Sequence, residues 1–217
     1  KGIVTTSKIF VAQAKTGTCR WGFFLKDPDT DRAIQVISYG AKATTADDGG
    51  LNDCVANTDP APADLAPGDL VTIITSKLSV YGGDAGIPNQ VQADICSIER
   101  TGKGAAPAPL VVTDLKALAK GGKELRGMLV QVNNVTAQAA VGADGGAAGS
   151  YGIINLGDVE VHDKFYYKNA TNGGGPVFPA GQTFKSIVGI NHLDYGVWCI
   201  QPRDKCTDFD PKSNDCK

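Results

Sequence analysis

The sequence predicts a mainly β protein, on the strength of a turn-rich composition and one long segment in which apolar residues alternate. Glycine and proline supply 27 and 11 of the 217 residues, which is typical of short strands joined by many turns. Within residues 70–81, one set of alternate side chains is mostly apolar and the other becomes polar towards the end. This is the period of a strand whose start is buried on both faces.

Four more strands are predicted in the first half of the chain, each rich in β-branched or aromatic residues. They cover residues 3–11, 21–25, 33–38 and 91–98. A long connection rich in Gly, Asp, Pro and Ala covers residues 40–68. Five strands, one long connection and a short helix are the elements of an OB-like barrel.

A breaker segment at residues 102–109 (GKGAAPAP) predicts a junction between residues 1–101 and residues 110–217. One continuous domain is the alternative. Beyond the junction, Thr113 can cap a short helix that ends at Gly121. Further strands are predicted at residues 125–135, 151–156, 159–167, 184–190 and 197–200. The predicted fold is therefore an OB-like barrel with a second β half and one short helix.

The six cysteines predict an oxidising compartment, and so a protein that is extracellular or at the cell surface. With only two histidines in the chain, a Cys/His zinc site has few ligands available. We expect all six to be paired, as Cys206 with Cys216, Cys54 with Cys96, and Cys19 with Cys199. No run approaches the roughly 20 apolar residues that span a bilayer, so no membrane span is predicted.

Charge is unevenly distributed along the chain. Residues 27–69 contain nine Asp against Arg32 and Lys42, a balance of 2 − 9 = −7, so the remainder carries −2 − (−7) = +5. A solvated acidic loop region explains this distribution. The alternative is an acidic end that attracts a cation or a basic partner, including a second copy of the chain.

Four strings resemble those of OB-fold-like β domains found in large secreted bacterial proteins, often beside extracellular nuclease- or phosphatase-like domains. They are WGFFLKDP at 21–28, PGDLVTI at 67–73, ELRGMLVQV at 124–132 and QPRD at 201–204. The resemblance implies an accessory β module outside the cell. It implies no catalytic residue, because the matched strings look like fold-forming positions.

The positions of the two histidines do not indicate a catalytic site. His162 precedes Asp163 in a predicted strand, where neighbouring side chains point to opposite faces. His192 can share a face with Asp194, but a nucleophile would have to come from elsewhere. The chain has no GxSxG, P-loop or HExxH motif. We therefore expect a protein without catalytic activity and without an obligatory cofactor.

Asp27, Asp29 and Asp31 have the alternating spacing that opens many calcium loops. An ordinary Asp-Pro turn is the alternative, because the chain lacks the Gly and Glu that complete an EF-hand loop. A second oxygen-rich loop lies between Cys206 and Cys216. Calcium is thus the cation that the sequence predicts, if any.

A basic and aromatic run predicts a ligand-binding surface of the kind that OB barrels use for nucleic acids or glycans. It consists of Lys164, Phe165, Tyr166, Tyr167 and Lys168. A plain strand with charged ends is the alternative. Nucleic acid is not the favoured ligand, because the chain has a net charge of −2.

Two functions remain. The first is a non-catalytic extracellular or cell-surface module for adhesion or assembly, such as a self-assembling filament subunit. Its partners would be copies of itself or other surface proteins, and its opening strand, residues 1–11, could be donated to the next subunit. The second is an accessory OB-type module that binds nucleic acid or glycan for a secreted hydrolase system.

Overall fold

The computed structural model describes residues 1–13, 18–42, 60–82, 89–122, 124–138, 152–167, 178–179 and 181–217. The fold is mainly β, as predicted, and it contains a closed five-stranded barrel and a second sheet. The chain forms two compact units. Unit 1 comprises Lys1–Tyr81 and Val91–Ala108, and unit 2 comprises Gly82–Gln90 and Pro109–Lys217.

Unit 1 is the barrel, and all five predicted strands of the first half are present in it. The elements are β1 (Gly2–Val4), β2 (Ile9–Gln13), β3 (Thr18–Lys26), β4 (Ala33–Lys42), β5 (Asp69–Tyr81) and β6 (Gln90–Lys103). The predicted opening strand is divided into β1 and β2, because the intervening Thr5 and Thr6 hydroxyls bond to the main chain of Phe24. Only the first two residues of the predicted junction, 102 and 103, are still strand, since β6 continues to Lys103.

The barrel closes in the order β1-β5-β6-β4-β3, and β1 pairs with both β5 and β3. Strands β4 and β6 are parallel, whereas β3 and β4 are antiparallel. Alternate residues of these strands fill the barrel, and its buried side chains include Val4, Phe23, Leu25, Val36, Val71 and Ile95. Because Val4 is fully buried, the opening strand is a structural part of its own barrel.

Unit 2 repeats this strand order. Its elements are β7 (Leu110–Val111), α1 (Leu115–Ala119), β8 (Leu129–Thr136), β9 (Ile154–Asn155), β10 (Glu160–Val161), α2 (Lys164–Tyr167), β11 (Thr183–Asp194), β12 (Val197–Gln201) and β13 (Phe209–Asp210). The sheet runs β8-β11-β12-β10-β9, with β10 parallel to β12. The Gln138 amide, just after β8, donates to the Asn155 carbonyl of β9 at 2.9 Å. This bond links the two ends of that series, so unit 2 has the cyclic order of an OB barrel as well.

Two sequence predictions about helices are wrong. The described residues contain two short helices rather than one. Residues 164–167, predicted as strand, form α2, where Phe165 and Tyr166 are both buried. A strand would direct these neighbours to opposite faces, whereas a helical turn allows both rings to enter the core. The cap of α1 is Asp114 rather than Thr113, because the Asp114 carboxylate accepts from the Lys116 amide.

One of the three expected disulfides, Cys206–Cys216, is present. The expected Cys54–Cys96 and Cys19–Cys199 bonds are wrong, because Cys96 and Cys199 are free thiols. Cys199 is fully buried on β12 of unit 2, whereas Cys19 lies on β3 of unit 1. Cys54 and the side chain of Cys19 lie outside the described residues.

Candidate functional site

The main candidate site is an apolar surface on the second half of β5. Ile74, Leu78 and Val80 are 63%, 67% and 60% exposed. Because they are separated by even numbers of residues, their side chains lie on one face of the strand. Isolated exposed apolar residues are common, but a row of three on one strand is typical of an interaction surface.

The lengths of the neighbouring strands explain why this row is exposed. On one side, β1 pairs with β5 only at Leu70 and Val71. Among the described residues β5 pairs with β1 and β6 alone. Burial follows the same division, since Val71 belongs to the core and the strand is exposed or half-buried from Thr72 onward.

The exposed part of β5 is nevertheless held firmly against β6. Asp94 on β6 is buried, and its carboxylate accepts from the Ser79 hydroxyl at 3.0 Å and lies 3.4 Å from the Lys77 ammonium. The Ser76 hydroxyl donates to the Asp94 carbonyl at 3.2 Å. These contacts satisfy a buried carboxylate and keep the row of Ile74, Leu78 and Val80 in a fixed extended conformation.

An open cleft of about 300 Å³ adjoins this strand in unit 1. Its apolar lining includes Leu25, Ile34, Ile73, Leu78 and Ala93. Charged side chains also line it, namely Lys1, Asp27 and Arg32. The exposed row and the cleft share Leu78, so they form one continuous apolar surface.

The predicted calcium residues have other partners. The Asp27 carboxylate accepts from the Asp29 amide at 2.8 Å, and this bond lowers the pKa of Asp27. Asp31 pairs with Lys26 at 3.2 Å. These contacts are those of an Asp-Pro turn. In the second loop, Asp208 pairs with Arg203 and Asp215 with Lys205. Among the described residues, no three His, Cys, Asp or Glu side chains are grouped as metal ligands would be.

The face that OB barrels use for oligonucleotides and oligosaccharides, across their second and third strands, is covered in unit 1. There β3 and β4 occupy those positions. Phe24, Gln35 and Ile37 alternate with the core residues Phe23 and Val36, and all three are buried. In unit 2 the corresponding strands, β9 and β10, are only two residues long each.

A buried charge cluster joins β10, α2, β11 and β12 of unit 2. The His162 ring lies 3.2 Å from Asp194 and 2.9 Å from Glu160. The Lys164 ammonium donates to Asp194 at 2.6 Å, and the Gln201 amide donates to it at 3.2 Å. The spacing of His192 and Asp194 predicted that these two share a face. The actual pair is His162, just after β10, with Asp194, at the end of β11, a long-range contact without a local sequence signal.

The protonation of this cluster follows from its charges. Burial would lower the pKa of His162, but the hydrogen bond to Asp194 and the contacts with Cys199 and Glu160 raise it to about 11. Burial opposes ionisation of Asp194, yet His162 and Lys164 hold its pKa well below the usual range. A pKa raised this far favours the imidazolium form of His162 at neutral pH.

Cys199 completes a Cys-His-Asp arrangement, but its chemistry is that of a core residue. The thiol is fully buried and donates to the His192 carbonyl at 3.5 Å. Burial raises its pKa, whereas a nucleophilic cysteine needs a lowered pKa and access to substrate. The cluster accordingly links four elements of unit 2 through charge-assisted hydrogen bonds.

Tyr195 is the most exposed large hydrophobic residue in the described part of unit 2. It is 84% exposed at the turn between β11 and β12, and its φ is +46°. A positive φ is strained for a bulky residue. The Lys164 ammonium lies 5.4 Å from the ring centroid, within range of a cation–π contact. Because Lys164 donates a hydrogen bond to Asp194, its ammonium is held in place beside the Tyr195 ring.

Two of the five residues of the predicted ligand surface at 164–168 lie in the core. Phe165 and Tyr166 are buried, where Phe165 packs edge-on against His192 and Tyr166 against Phe209. Lys164 is engaged by Asp194. The Tyr167 side chain and Lys168 lie outside the described residues. The exposed aromatic residue next to Lys164 is instead Tyr195, from a different element.

Neither helix among the described residues has the length and hydropathy that a membrane-spanning helix requires. Comparison of the chain with protein-family models, with curated proteins and with solved structures found no match.

Proposed function

We propose that this protein is a non-catalytic β module that assembles outside the cell or at its surface, as a subunit that associates with copies of itself. The observation that carries the proposal is the exposed apolar row on β5, formed by Ile74, Leu78 and Val80. The row stands on a strand that Asp94 holds rigid, so binding would cost little ordering of the main chain.

Two further features support this function. The Cys206–Cys216 bond is typical of proteins that fold in an oxidising compartment. His162 is buried and protonated within its polar cluster, which suits a structural role better than acid–base chemistry. Assembly into a filament would require a second contact in addition to β5.

The test replaces the apolar row without changing the β propensity of the strand. In the double variant Ile74→Thr, Leu78→Thr, we expect the concentration-dependent mass of the wild type, measured by sedimentation velocity, to fall to that of a monomer. Val111→Thr is the matched control, because Val111 is 55% exposed but lies on β7 of unit 2. A wild type that stays monomeric at millimolar concentration, or a double variant that associates like the wild type, would contradict the proposal.

The second candidate function is an accessory OB module that binds a ligand for a secreted hydrolase system. Tyr195, exposed and supported by Lys164, favours it because sugar rings and bases both stack on such a residue. A glycan suits the net negative charge better than nucleic acid does. If a soluble oligosaccharide binds, Tyr195→Ala should weaken binding about 5- to 150-fold, on the scale of about 1–3 kcal/mol for one stacked ring. Titrations of oligosaccharides and single-stranded DNA without heat or signal would remove this candidate.

A further inference from the structure

The free edge of β5 is long. Since β1 covers only Leu70 and Val71, the main chain from Thr72 to Tyr81 has a side that no other described strand pairs with. The amide and carbonyl groups directed to that side have no partner strand among the described residues, so they can pair with another strand. An exposed, regular edge of this length is a template for pairing with another chain.

Natural edge strands are usually protected by proline, by several charges, by bulges or by short length. From Thr72 to Tyr81 the strand has no proline, and its single charged residue, Lys77, already lies 3.4 Å from Asp94. The strand has 13 residues. The strand therefore lacks protection by proline, by several charges and by short length, and its one lysine is neutralised, so no charge on the edge repels an incoming strand.

We propose that β5 pairs with β5 of a second copy of this chain, antiparallel and edge to edge, about a twofold axis at Ser76. This inference rests on the proposed function and specifies the geometry of the contact. In this register residue numbers of opposed residues sum to 152. Ile74 then lies opposite Leu78 of the second copy, and the symmetry creates the same apolar pair twice.

The charges and remaining side chains fit this register. Thr72 lies opposite Val80, and Lys77 lies opposite Thr75, so the two lysines are not directly opposed. Moving the twofold axis by one residue, to Lys77, shifts the pairing by two residues to a sum of 154 and places one Lys77 directly against the other, which is unfavourable. It also places Ile74 opposite Val80, leaving Leu78 opposite Ser76. The twofold axis at Ser76 thus pairs the two most exposed residues of the β5 row, Ile74 and Leu78, and separates the like charges.

Association in this form should be weak and reversible. One pair of strands buries less than the roughly 1,600 Å² of a standard stable interface, although the adjoining cleft adds apolar surface through Leu78. The contact is therefore best studied at high protein concentration, by a method that reports distances directly.

The experiment uses nitroxide labels on the full chain and measures distances between copies by electron paramagnetic resonance. Cys96 is an exposed free thiol, so the background is Cys96→Ser, and this background without added cysteine defines nonspecific labelling. Labels are attached to Ser76→Cys and, separately, to Val80→Cys. At position 76 the two backbones should be about 5 Å apart, which gives strong dipolar broadening. At position 80 they should be about 26 Å apart, because eight residues separate them along the strand.

Each outcome has a distinct meaning. Association with the shortest distance at position 76 and a long distance at position 80 supports the register. Association that depends on Leu78 but has a short distance at position 80 overturns the register at Ser76. Association with long distances at both positions overturns the β5 pairing. Both results leave the proposed assembly function intact. A protein that remains monomeric at millimolar concentration overturns both the β5 pairing and the proposed assembly function. This holds even if the monomer binds a strand of another protein.

Discussion

At the scale of single residues, His162 shows how a polar group is accommodated inside a barrel. Its ring is nearly buried between Asp194 and Glu160, and Lys164 adds a second positive charge beside Asp194. Two acids and two bases thus neutralise each other, with His162 buried and Glu160 and Lys164 partly exposed. Breaking such a cluster by removing one member usually costs more than the cluster contributes as a whole, because an unpaired charge stays buried.

This arrangement predicts how stability changes with pH. The folded pKa of His162, about 11, lies above the unfolded value of 6.5, so the folded state holds the proton more tightly. Its contribution is complete below pH 6.5 and is lost as the pH rises towards 11. In the wild type, His162 should make the free energy of unfolding fall between pH 7 and 9 by up to about 1.4 kcal/mol per pH unit. In His162→Gln we expect this part of the fall to be absent. Urea unfolding at each pH, followed by Trp198 fluorescence in a Trp21→Phe background, measures the free energy of unfolding.

His192 provides the control for that measurement. Burial lowers its folded pKa to about 3, so its contribution changes only below pH 6.5, where stability is lost as the pH falls. His192→Asn should therefore leave the slope between pH 7 and 9 as it is in the wild type. Equal slopes in the wild type and in His162→Gln would show that His162 is not protonated in the folded protein.

At the scale of elements, the turn after α1 depends on one glycine. Gly121 has a φ of +58°, and a Cβ atom there would overlap the Trp198 indole on β12. Arg126 fixes the same turn, because its guanidinium donates to the Gly121 carbonyl at 2.8 Å and lies 5.8 Å from the Trp198 ring. Positive φ at a residue with a side chain costs about 1–2 kcal/mol, and overpacking typically adds about 1–3 kcal/mol.

Gly121→Ala should accordingly destabilise unit 2 by about 2–5 kcal/mol. The neighbouring Gly122→Ala is the matched control. A Cβ at Gly122 would meet the Ala117 carbonyl at 3.4 Å and Leu125 at 3.6 Å, which are ordinary contacts, so its effect should stay below about 1 kcal/mol. Hydrogen exchange of the β12 amides measures both effects. Equal protection in the two variants would mean that the turn and Trp198 can separate without loss of the fold.

The strands were predictable from sequence to the extent that local pattern determines them. The alternation in residues 70–81 identified β5, and the aromatic run at residues 21–25 identified β3. Helix α2 was missed, because a short apolar and aromatic run fits both a strand and a buried helical turn. Its identity depends on what covers Phe165 and Tyr166, which is a tertiary property.

The candidate site could not be predicted, because the neighbours of β5 determine it. The alternation correctly identified an apolar face, and a buried face was the natural interpretation. Which part is buried depends on where β1 ends, at its pairing with Leu70 and Val71. The cluster of His162 and Asp194 likewise joins residues 32 positions apart. A short segment of sequence carries no information about the length of a neighbouring strand or about the packing of distant strands.

At the scale of the whole molecule, two modes of association make opposite predictions about salt. The sequence has a balance of −7 in residues 27–69 and +5 elsewhere, which favours head-to-tail attraction. The exposed row on β5 favours apolar contact. Raising the salt from 0.01 M to 1 M shortens the Debye length from about 30 Å to about 3 Å, so it weakens the first mode and leaves the second mode intact.

We expect association to persist or strengthen over that range, because β5 carries one neutralised charge on its free edge. Sedimentation velocity at fixed protein concentration measures it, and sodium sulfate should strengthen association further. Dissociation with rising salt would instead identify the acidic segment as the contact and would exclude β5 as the dominant one.

The disulfide in unit 2 has a mechanical consequence for a protein that works in an assembly. Strand β13, with Phe209 packed against Phe178 and Phe184, lies inside the loop that Cys206 and Cys216 close. A pull applied to the chain beyond Cys216 is transmitted through the sulfur–sulfur bond to Cys206, and from there towards β12. The residues between the two cysteines carry no tension, so Phe209 stays in the core under load. In the reduced protein the same force would act on β13 and pull it away from β11.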